Sequence, residues 1–185
     1  MQAPLTYISL IEYLNAEDSS QIRHEYLNGQ VFGMTGGSRQ HNAITLNIAT
    51  QLRTRLRGSG CQVFASDIKV RVETDNVFYY PDVVVTCNSQ DTEKFFLTKP
   101  CLIVEVLSPS TENIDRREKL LTYKKIEDLQ EYVLVSQDEI EVELYRKDRD
   151  NNWIKYILGK DDAVILDSVN LQLTMVEIYE DVMNA

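Results

Sequence analysis

Two carboxylates interrupt apolar segments that otherwise have the composition of buried β-strands. Asp82 follows Pro81 at the start of a run of valines, and Glu105 lies inside the next long apolar segment, LIVEVLS. A lone carboxylate in apolar surroundings is costly unless it has a partner. Two carboxylates at close range raise each other's pKa unless a cation lies between them, and such oxygen ligands suit Mg²⁺ or Mn²⁺. Because consecutive strands are often neighbours, Asp82 and Glu105 predict a divalent-metal site at one sheet edge.

Less specific explanations fit the same two residues. Proline followed by aspartate at the start of a strand is ordinary turn chemistry. Glu105 could instead pair with an arginine, since glutamate is almost never fully buried without a partner. The sequence leaves both explanations open.

A third group lies in the segment that follows Glu105. Asp115 and Lys119 are four residues apart and therefore share a face of a predicted helix. The short connection SPST brings the first turns of that helix back toward the end of the Glu105 strand. A lysine there could orient an attacking water and stabilise negative charge that develops on a phosphate. The alternative is a solvated ion pair between Asp115 and Lys119.

Helices and strands are predicted around these residues from the apolar pattern. The segment that begins HNAI places Ile44, Ile48, Leu52 and Leu56 on one helix face, with Ser38 as its N-terminal cap. The remaining predicted elements are a helix over residues 7–15, a hairpin that turns at Asn28–Gly29, strands within 61–73, 78–87 and 101–108, a second helix over 112–129, strands within 131–136, 140–148 and 151–158, and a short helix within 173–183.

Length and composition predict one globular domain over residues 1–185, and the order of the predicted helices and strands makes it an α/β domain around a mixed sheet. Its net charge of −10 disfavours non-specific coating of nucleic acid, although a local basic face stays compatible with it. We expect a cytoplasmic protein that does not enter membranes, because no apolar run approaches the roughly 20 residues of a membrane span and the N-terminus lacks a positive leader. Cys61, Cys87 and Cys101 lack zinc-binding spacing and predict three buried free thiols.

Several of these segments together resemble one known family. YPDVVV, LIVEVLSPSTENIDRREKLLTYKKI and LQEYVLVSQDEIEVELYR are similar to the Uma-two endonucleases, which belong to the PD-(D/E)XK superfamily. The hairpin YLNGQVFGM and the helix start HNAI resemble the N-terminal half of that family, so the resemblance covers residues 6–179. It implies a restriction-endonuclease-like core of helix, three strands, helix and strand, with an N-terminal hairpin and extra C-terminal strands.

The resemblance also implies a site and an activity. The metal ligands would be Asp82, Glu105 and the backbone carbonyl of Val106. The superfamily pattern has lysine two residues after the acid, where this chain has Leu107, and the family's lysine in the following helix fits Lys119. We therefore expect hydrolysis of DNA by water activated on Mg²⁺ or Mn²⁺, with a homodimer cutting both strands of a duplex.

Two other functions stay open. The acidic net charge and the displaced lysine also fit a nuclease fold that binds or assembles without cleaving. RNA or a nucleotide is an alternative substrate for the same kind of metal site.

Auxiliary residues are expected around the predicted metal ligands, and Asp115 is one of them. Glu25 matches another acid of the family and is expected either in the same cleft or on the strand surface. Asp67 and Lys69 alternate onto one strand face, which would line the site or form an exposed ion-paired face. His41 could act near a phosphate or cap the start of its helix.

Overall fold

The computed structural model describes residues 7–34, 36–109 and 111–183, and within them it contains a six-stranded, a five-stranded and a two-stranded sheet. The elements in chain order are α1 (Leu10–Asp18), β1 (His24–Leu27), β2 (Gln30–Gly33), α2 (Arg39–Arg55), β3 (Gln62–Ala65), β4 (Lys69–Val72), β5 (Val77–Tyr79), β6 (Val83–Thr86), β7 (Phe96–Leu97), β8 (Leu102–Leu107), α3 (Glu112–Ile114), a π-helical turn (Asp115–Lys119), α4 (Leu120–Tyr123), β9 (Glu131–Ser136), β10 (Val142–Lys147), β11 (Trp153–Leu158), β12 (Ala163–Leu166), β13 (Leu171–Thr174) and α5 (Met175–Ile178), with short 3₁₀ turns at Glu73–Asp75 and Asp167–Val169.

The six-stranded sheet holds the predicted core and is mixed, as expected. Its strand order is β11-β10-β9-β8-β6-β3, and β8 and β9 run parallel while the other neighbours are antiparallel. The segment from α3 to α4 connects β8 to β9, which is the crossover that a parallel pair requires. The five-stranded sheet has the order β2-β1-β5-β4-β7.

Two predicted strands are each broken into two, and the breaks create the junction between the large sheets. Residues 61–73 form β3 and β4, and residues 78–87 form β5 and β6, so that one half of each strand lies in each sheet. Ser66 has a φ of 61°, a left-handed conformation that extended strands do not adopt. Pro81 cannot donate a ladder hydrogen bond. The Ser66 N–H instead bonds the Asp82 carbonyl at 3.1 Å, and this fixes Asp82 at the junction.

Apolar side chains cover both faces of the six-stranded sheet. Ile44, Ile48, Leu52 and Leu56 are all buried, which confirms the predicted face of α2, and they pack with residues of β6, β8 and β9 in one core cluster. A second cluster on the other face joins the strands to the α4 region. The sheet is therefore packed between α2 on one face and the α4 region on the other. Of the two candidate acids, Glu105 lies in β8 and Asp82 directly precedes β6.

The segment predicted as one long helix over residues 112–129 is shorter and irregular. It begins at Glu112, passes through a π-helical turn at Asp115–Lys119 and ends at Tyr123. A π-turn is rare and is frequently found at functional sites. Here it contains both Asp115 and Lys119, and both side chains are buried.

The N-terminal elements follow the predicted pattern with one shift. The hairpin turns at Asn28–Gly29 as expected, and Ser38 caps α2 by accepting a hydrogen bond from the His41 N–H. The first helix covers Leu10–Asp18 rather than residues 7–15, because Ser9 and Glu12 form a capping box that fixes its start.

The sequence did not predict the hairpin β12–β13, which packs beside α2. Residues of both strands belong to the cluster that α2 forms with the six-stranded sheet. None of the helices within the described ranges combines the length and apolar character of a membrane span.

The prediction of three free thiols is wrong. Cys61 and Cys87 form a disulfide, and only Cys101 among the described cysteines is free. The cause is the antiparallel pairing of β3 with β6, in which Gln62 lies opposite Thr86. Cys61 directly precedes Gln62 and Cys87 directly follows Thr86, so the same register sets the two cysteines opposite each other. The Cys101 sulfur lies 3.6 Å from that of Cys87, and burial raises the pKa of the Cys101 thiol to about 11.

Candidate active site

The structure brings Asp82 and Glu105 together where β6 and β8 meet the junction between the sheets. Val83 pairs with Val104, so the next step along the antiparallel ladder sets Asp82 opposite Glu105. The Asp82 N–H donates to Glu105 Oε2 at 3.3 Å, and Asp82 Oδ2 accepts a hydrogen bond from the Val106 N–H at 2.7 Å. Strand register and these two bonds thus place both carboxylates at one point.

Lys119 is the centre of the carboxylate cluster. Its Nζ lies 3.1 Å from Glu105 Oε1, and 3.2 Å from both Asp115 Oδ1 and Glu25 Oε1. The π-helical turn carries Lys119 and Asp115 to the cluster from one side, whereas Glu25 arrives from β1 of the other sheet. Lys119 and Glu105 are nearly inaccessible to solvent, at 6% and 3% exposure. One buried ammonium group therefore holds three acids that come from three different elements.

The crowding of acids perturbs both Glu105 and Lys119. Burial raises the pKa of Glu105 well above its ordinary value, and the Lys119 ammonium opposes this rise only in part. The neighbouring carboxylates of Asp115, Asp82 and Glu25 add to the rise. Burial by itself would lower the pKa of Lys119, but the surrounding acids reverse this and hold it well above the ordinary value. The raised pKa favours the protonated ammonium form of Lys119, which lies among three carboxyl groups.

His41 approaches Asp82 from α2. Its Nε2 lies 3.2 Å from Asp82 Oδ2. Burial tends to lower the pKa of His41, but the Asp82 carboxylate and a hydrogen bond with the Val106 backbone raise it overall. A Cβ at Gly37 would lie 2.8 Å from His41 Nδ1, so glycine at that position leaves room for the ring. The imidazole therefore contacts both Asp82 and the backbone of Val106, two of the three groups predicted to bind metal.

Among the auxiliary residues, Glu25, Asp115 and His41 lie within the cluster and Asp67 does not. Asp67 is largely exposed and pairs with Arg23 at 3.3 Å. The break at Ser66 turns the chain between the sheets, so Asp67 lies outside the cavity that Ser66 lines. The structure places Asp67 in the exposed, ion-paired setting that the sequence had left as the alternative.

Tyr123 belongs to the site and was not predicted from the sequence. Its hydroxyl donates to Glu105 Oε1 at 3.2 Å, and its ring is fully buried. It lies one helical turn beyond Lys119, so the spacing of four residues was the available signal. Tyr132 supports the same region by donating to the Asp115 carbonyl at 3.1 Å.

A cavity of about 420 Å³ opens onto the cluster. That volume lies within the range of ordinary ligand pockets. Asp82, Glu105, His41, Lys119 and Met34 are among the residues that line it. A phosphate that entered the cavity would meet the acids only if a cation offset their charge.

The donor set fits a small divalent cation that keeps most of its water. Within residues 7–34, 36–109 and 111–183, no group of three or more His, Cys, Asp or Glu is arranged as a metal cage. Mg²⁺ rarely uses such a cage, since it is usually bound through one or two carboxylates together with waters and substrate phosphate. Asp82, directly before β6, and Glu105, in β8, offer hard carboxylate oxygens side by side, and Asp115, Asp82 and Glu25 add to the rise that burial causes in the pKa of Glu105. The residues present therefore fit Mg²⁺ or Mn²⁺.

Comparison with known proteins gives the family. The sequence model of Uma2, described as "Putative restriction endonuclease", matches residues 10–176. The chain belongs to the Uma2 family.

Two Synechocystis sp. (strain ATCC 27184 / PCC 6803 / Kazusa) proteins are relatives of this Uma2 chain. The uncharacterized protein slr1290 is 38% identical over 178 residues, which cover 96% of this chain and 94% of the relative. The uncharacterized protein sll1609 is 31% identical over 161 residues, which cover 85% of this chain and 91% of the relative.

A solved structure shows the fold of the Uma2 chain. The crystal structure of "a putative nuclease belonging to DUF820" from Anabaena variabilis ATCC 29413 matches with a TM-score of 0.79 at 19% identity, and covers 95% of this chain and 99% of that chain. The mixed α/β architecture is therefore restriction-endonuclease-like, as the sequence predicted. Family and fold together support a nuclease function in general terms.

Proposed function

We propose that this Uma2 protein is a nuclease that hydrolyses phosphodiester bonds of DNA with Mg²⁺ or Mn²⁺ as cofactor. The observation that carries the proposal is the convergence of Asp82 and Glu105 beside the buried Lys119 ammonium, in which the Asp82 backbone N–H donates to Glu105 Oε2 at 3.3 Å. Family membership supports the class of reaction, and the geometry supports the assignment of these three residues to the site.

The cation would be held by the carboxylates of Asp82 and Glu105 and by the Val106 carbonyl. When bound, it would offset the charge of the phosphate and lower the pKa of a coordinated water. Asp82 is oriented for this role because the Val106 N–H fixes one of its oxygens at 2.7 Å. Glu105 is oriented by Lys119 and Tyr123, which both contact its Oε1 and leave Oε2 toward Asp82.

Lys119 has two roles in the proposal. Its ammonium favours the ionised form of Glu105, since it is the group that opposes the rise in the pKa of Glu105. It also supplies a fixed positive charge at the cavity, where negative charge develops as the phosphate is attacked. Asp115 and Glu25 then act as positioning residues, because each contacts Lys119 at 3.2 Å.

A nuclease-fold module that binds or assembles without cleaving is the second candidate function. The observation that favours it is the arrangement of Lys119, which already offsets part of the charge of three carboxylates. The net charge of −10 also disfavours tight binding of DNA by a monomer.

A homodimer of the proposed nuclease would place two sites across a duplex, and equilibrium sedimentation tests that part of the proposal.

Cleavage of supercoiled plasmid and of single-stranded DNA in Mg²⁺ or Mn²⁺ tests the proposed function. We expect Asp82→Asn, Glu105→Gln and Lys119→Ala each to lower the rate by at least two orders of magnitude. Asp67→Asn is the matched control, because that acid is exposed and lies outside the cluster. It should cleave like the parent. A parent protein that binds DNA but cleaves neither substrate would favour the binding module, and cleavage unchanged by Asp82→Asn would refute the assigned site.

A further inference from the structure

The apolar side chains of β2 stand beside the acidic cluster. β2 pairs with β1 in a register that sets Phe32 opposite Glu25. Side chains of directly opposed residues lie on the same face of a sheet. Since Glu25 Oε1 lies 3.2 Å from Lys119 Nζ, that face is the one that faces the site. Phe32 is therefore the cross-strand neighbour of a residue that contacts the catalytic lysine.

Met34 continues the same face into the cavity. It lies two residues beyond Phe32, and alternation returns its side chain to the side of the sheet that Phe32 occupies. Its N–H donates to the Arg23 carbonyl at 2.8 Å, which fixes its backbone beyond the last residue of β2. Met34 lines the cavity that Asp82 and Lys119 also line. The hairpin thus carries an apolar strip from Phe32 to the place where a phosphate would be held.

The strip is exposed and uncharged. Phe32 is 47% exposed and Met34 38% exposed, and β2 is an edge strand of its sheet in the described part of the chain. Exposed apolar residues on an edge strand favour unwanted association and are usually avoided. Neither residue can bind a phosphate, because neither carries a charge or a hydrogen-bond donor in its side chain. What these side chains can bind beside a phosphate site is the flat, apolar face of a nucleobase.

We propose that Phe32 and Met34 form a subsite that stacks an unpaired nucleobase next to the phosphate held at Asp82 and Glu105. This inference rests on the proposed function, and it narrows the proposed substrate from DNA in general to DNA with unpaired bases. A base inside a duplex is stacked on its neighbours and has no free face, so the subsite selects single-stranded DNA, overhangs or gaps. Val31 provides the contrast within the same strand, since it lies opposite Tyr26 and so on the other face of the sheet.

Fluorescence of a single-stranded oligonucleotide that contains 2-aminopurine tests the subsite directly, because stacking quenches this base. Binding is measured in Ca²⁺ with the parent, Phe32→Ala, Phe32→Trp and Val31→Ala. Base–aromatic stacking predicts that Phe32→Ala weakens binding about tenfold and loses the quenching. Phe32→Trp should retain both, and Val31→Ala should match the parent, since Val31 has a similar exposure of 39% on the opposite face.

The outcomes separate this proposal from the proposed function. If Phe32→Ala binds and quenches like Val31→Ala, or if the parent does not bind the oligonucleotide, the subsite is refuted whatever the cleavage assay shows. If the parent binds and quenches but never cleaves in Mg²⁺, the subsite stands and only the nuclease proposal fails. If Phe32→Ala changes the sedimentation coefficient of the free protein, the strip is an interface between two copies of the chain and the subsite is refuted.

Discussion

Replacing Lys119 by methionine tests whether the buried ammonium holds the acidic cluster together. The substitution keeps an unbranched side chain of nearly the same length and removes the ammonium group, with its positive charge and its hydrogen-bond donors. In the parent, that charge lies within 3.1–3.2 Å of Glu105, Asp115 and Glu25. In the variant, those carboxylates would stay buried and close together with no lysine between them. At least one of them must then take up a proton in the folded state.

The cost of that proton gives the magnitude. A carboxyl group with an ordinary pKa of 4.5 is ionised at pH 7, and holding it protonated costs about 1.4 kcal/mol for each pH unit above that value. The cost comes to about 3.4 kcal/mol at pH 7 and about 0.7 kcal/mol at pH 5. The first figure agrees with the roughly 3–5 kcal/mol that is lost when one partner of a buried ion pair is removed.

The same proton decides whether the stability of the Lys119→Met variant rises or falls with pH. The folded variant binds one more proton than the unfolded chain above pH 4.5, so its stability relative to the parent falls as the pH rises. Urea unfolding of both proteins in EDTA, at pH 5 and at pH 7, measures the difference. Lys125→Met is the control, because Lys125 pairs with Asp75 at the surface and should cost less than about 1 kcal/mol. A Lys119→Met protein that unfolds within 1 kcal/mol of the parent at pH 7 would refute this account of the cluster.

Two further predictions concern stability away from the cluster. Cys87→Ser removes the disulfide to Cys61, and a loop with a sequence separation of 26 predicts a loss of about 3.5 kcal/mol under oxidising conditions. Denaturant unfolding should show this loss for Cys87→Ser but not for Cys101→Ser, and an equal effect of the two would contradict the prediction. Burial tends to raise the pKa of Glu17, but hydrogen bonds led by the His24 backbone N–H lower it overall. The stability that Glu17 contributes is therefore present above pH 4.5 and is lost as the pH falls through its lowered pKa. Glu17→Gln should be about 1–3 kcal/mol less stable than the parent at pH 7, with a difference that shrinks in acid, and a constant difference down to pH 3 would count against the prediction.

The parts of the site that the sequence predicted depend on regular geometry. Asp82 and Glu105 are in consecutive strands of the core, and β6 and β8 pair directly, so strand order was enough to bring them together. Asp115 and Lys119 share a turn by their spacing, and the short connection from β8 carries that turn to Glu105. Each of these inferences needs only the residue spacing within one helix or the pairing of strands that follow each other in the chain.

The parts that were missed depend on departures from regular geometry or on distant contacts. The breaks at Ser66 and Pro81 divide two strands between two sheets. The pattern of apolar residues gives no sign that Ser66 adopts a left-handed backbone conformation. The same division explains why Asp67 lies outside the cluster, although its alternation with Lys69 had suggested a shared face. The disulfide required the register of β3 against β6, which the cysteine spacing does not contain. Glu25 could be named from the family pattern, but its contact with Lys119 needs both sheets in place.

Calorimetric titration with Mn²⁺ and Mg²⁺ tests the central claim most directly, because the claim is that Asp82 and Glu105 share one cation. The parent, Asp82→Asn and Glu105→Gln are compared with Asp67→Asn at the same pH. We expect one ion per chain for the parent and for Asp67→Asn, and affinity at least tenfold weaker for each of the other two variants. Metal binding that is the same in all four proteins would contradict the claim.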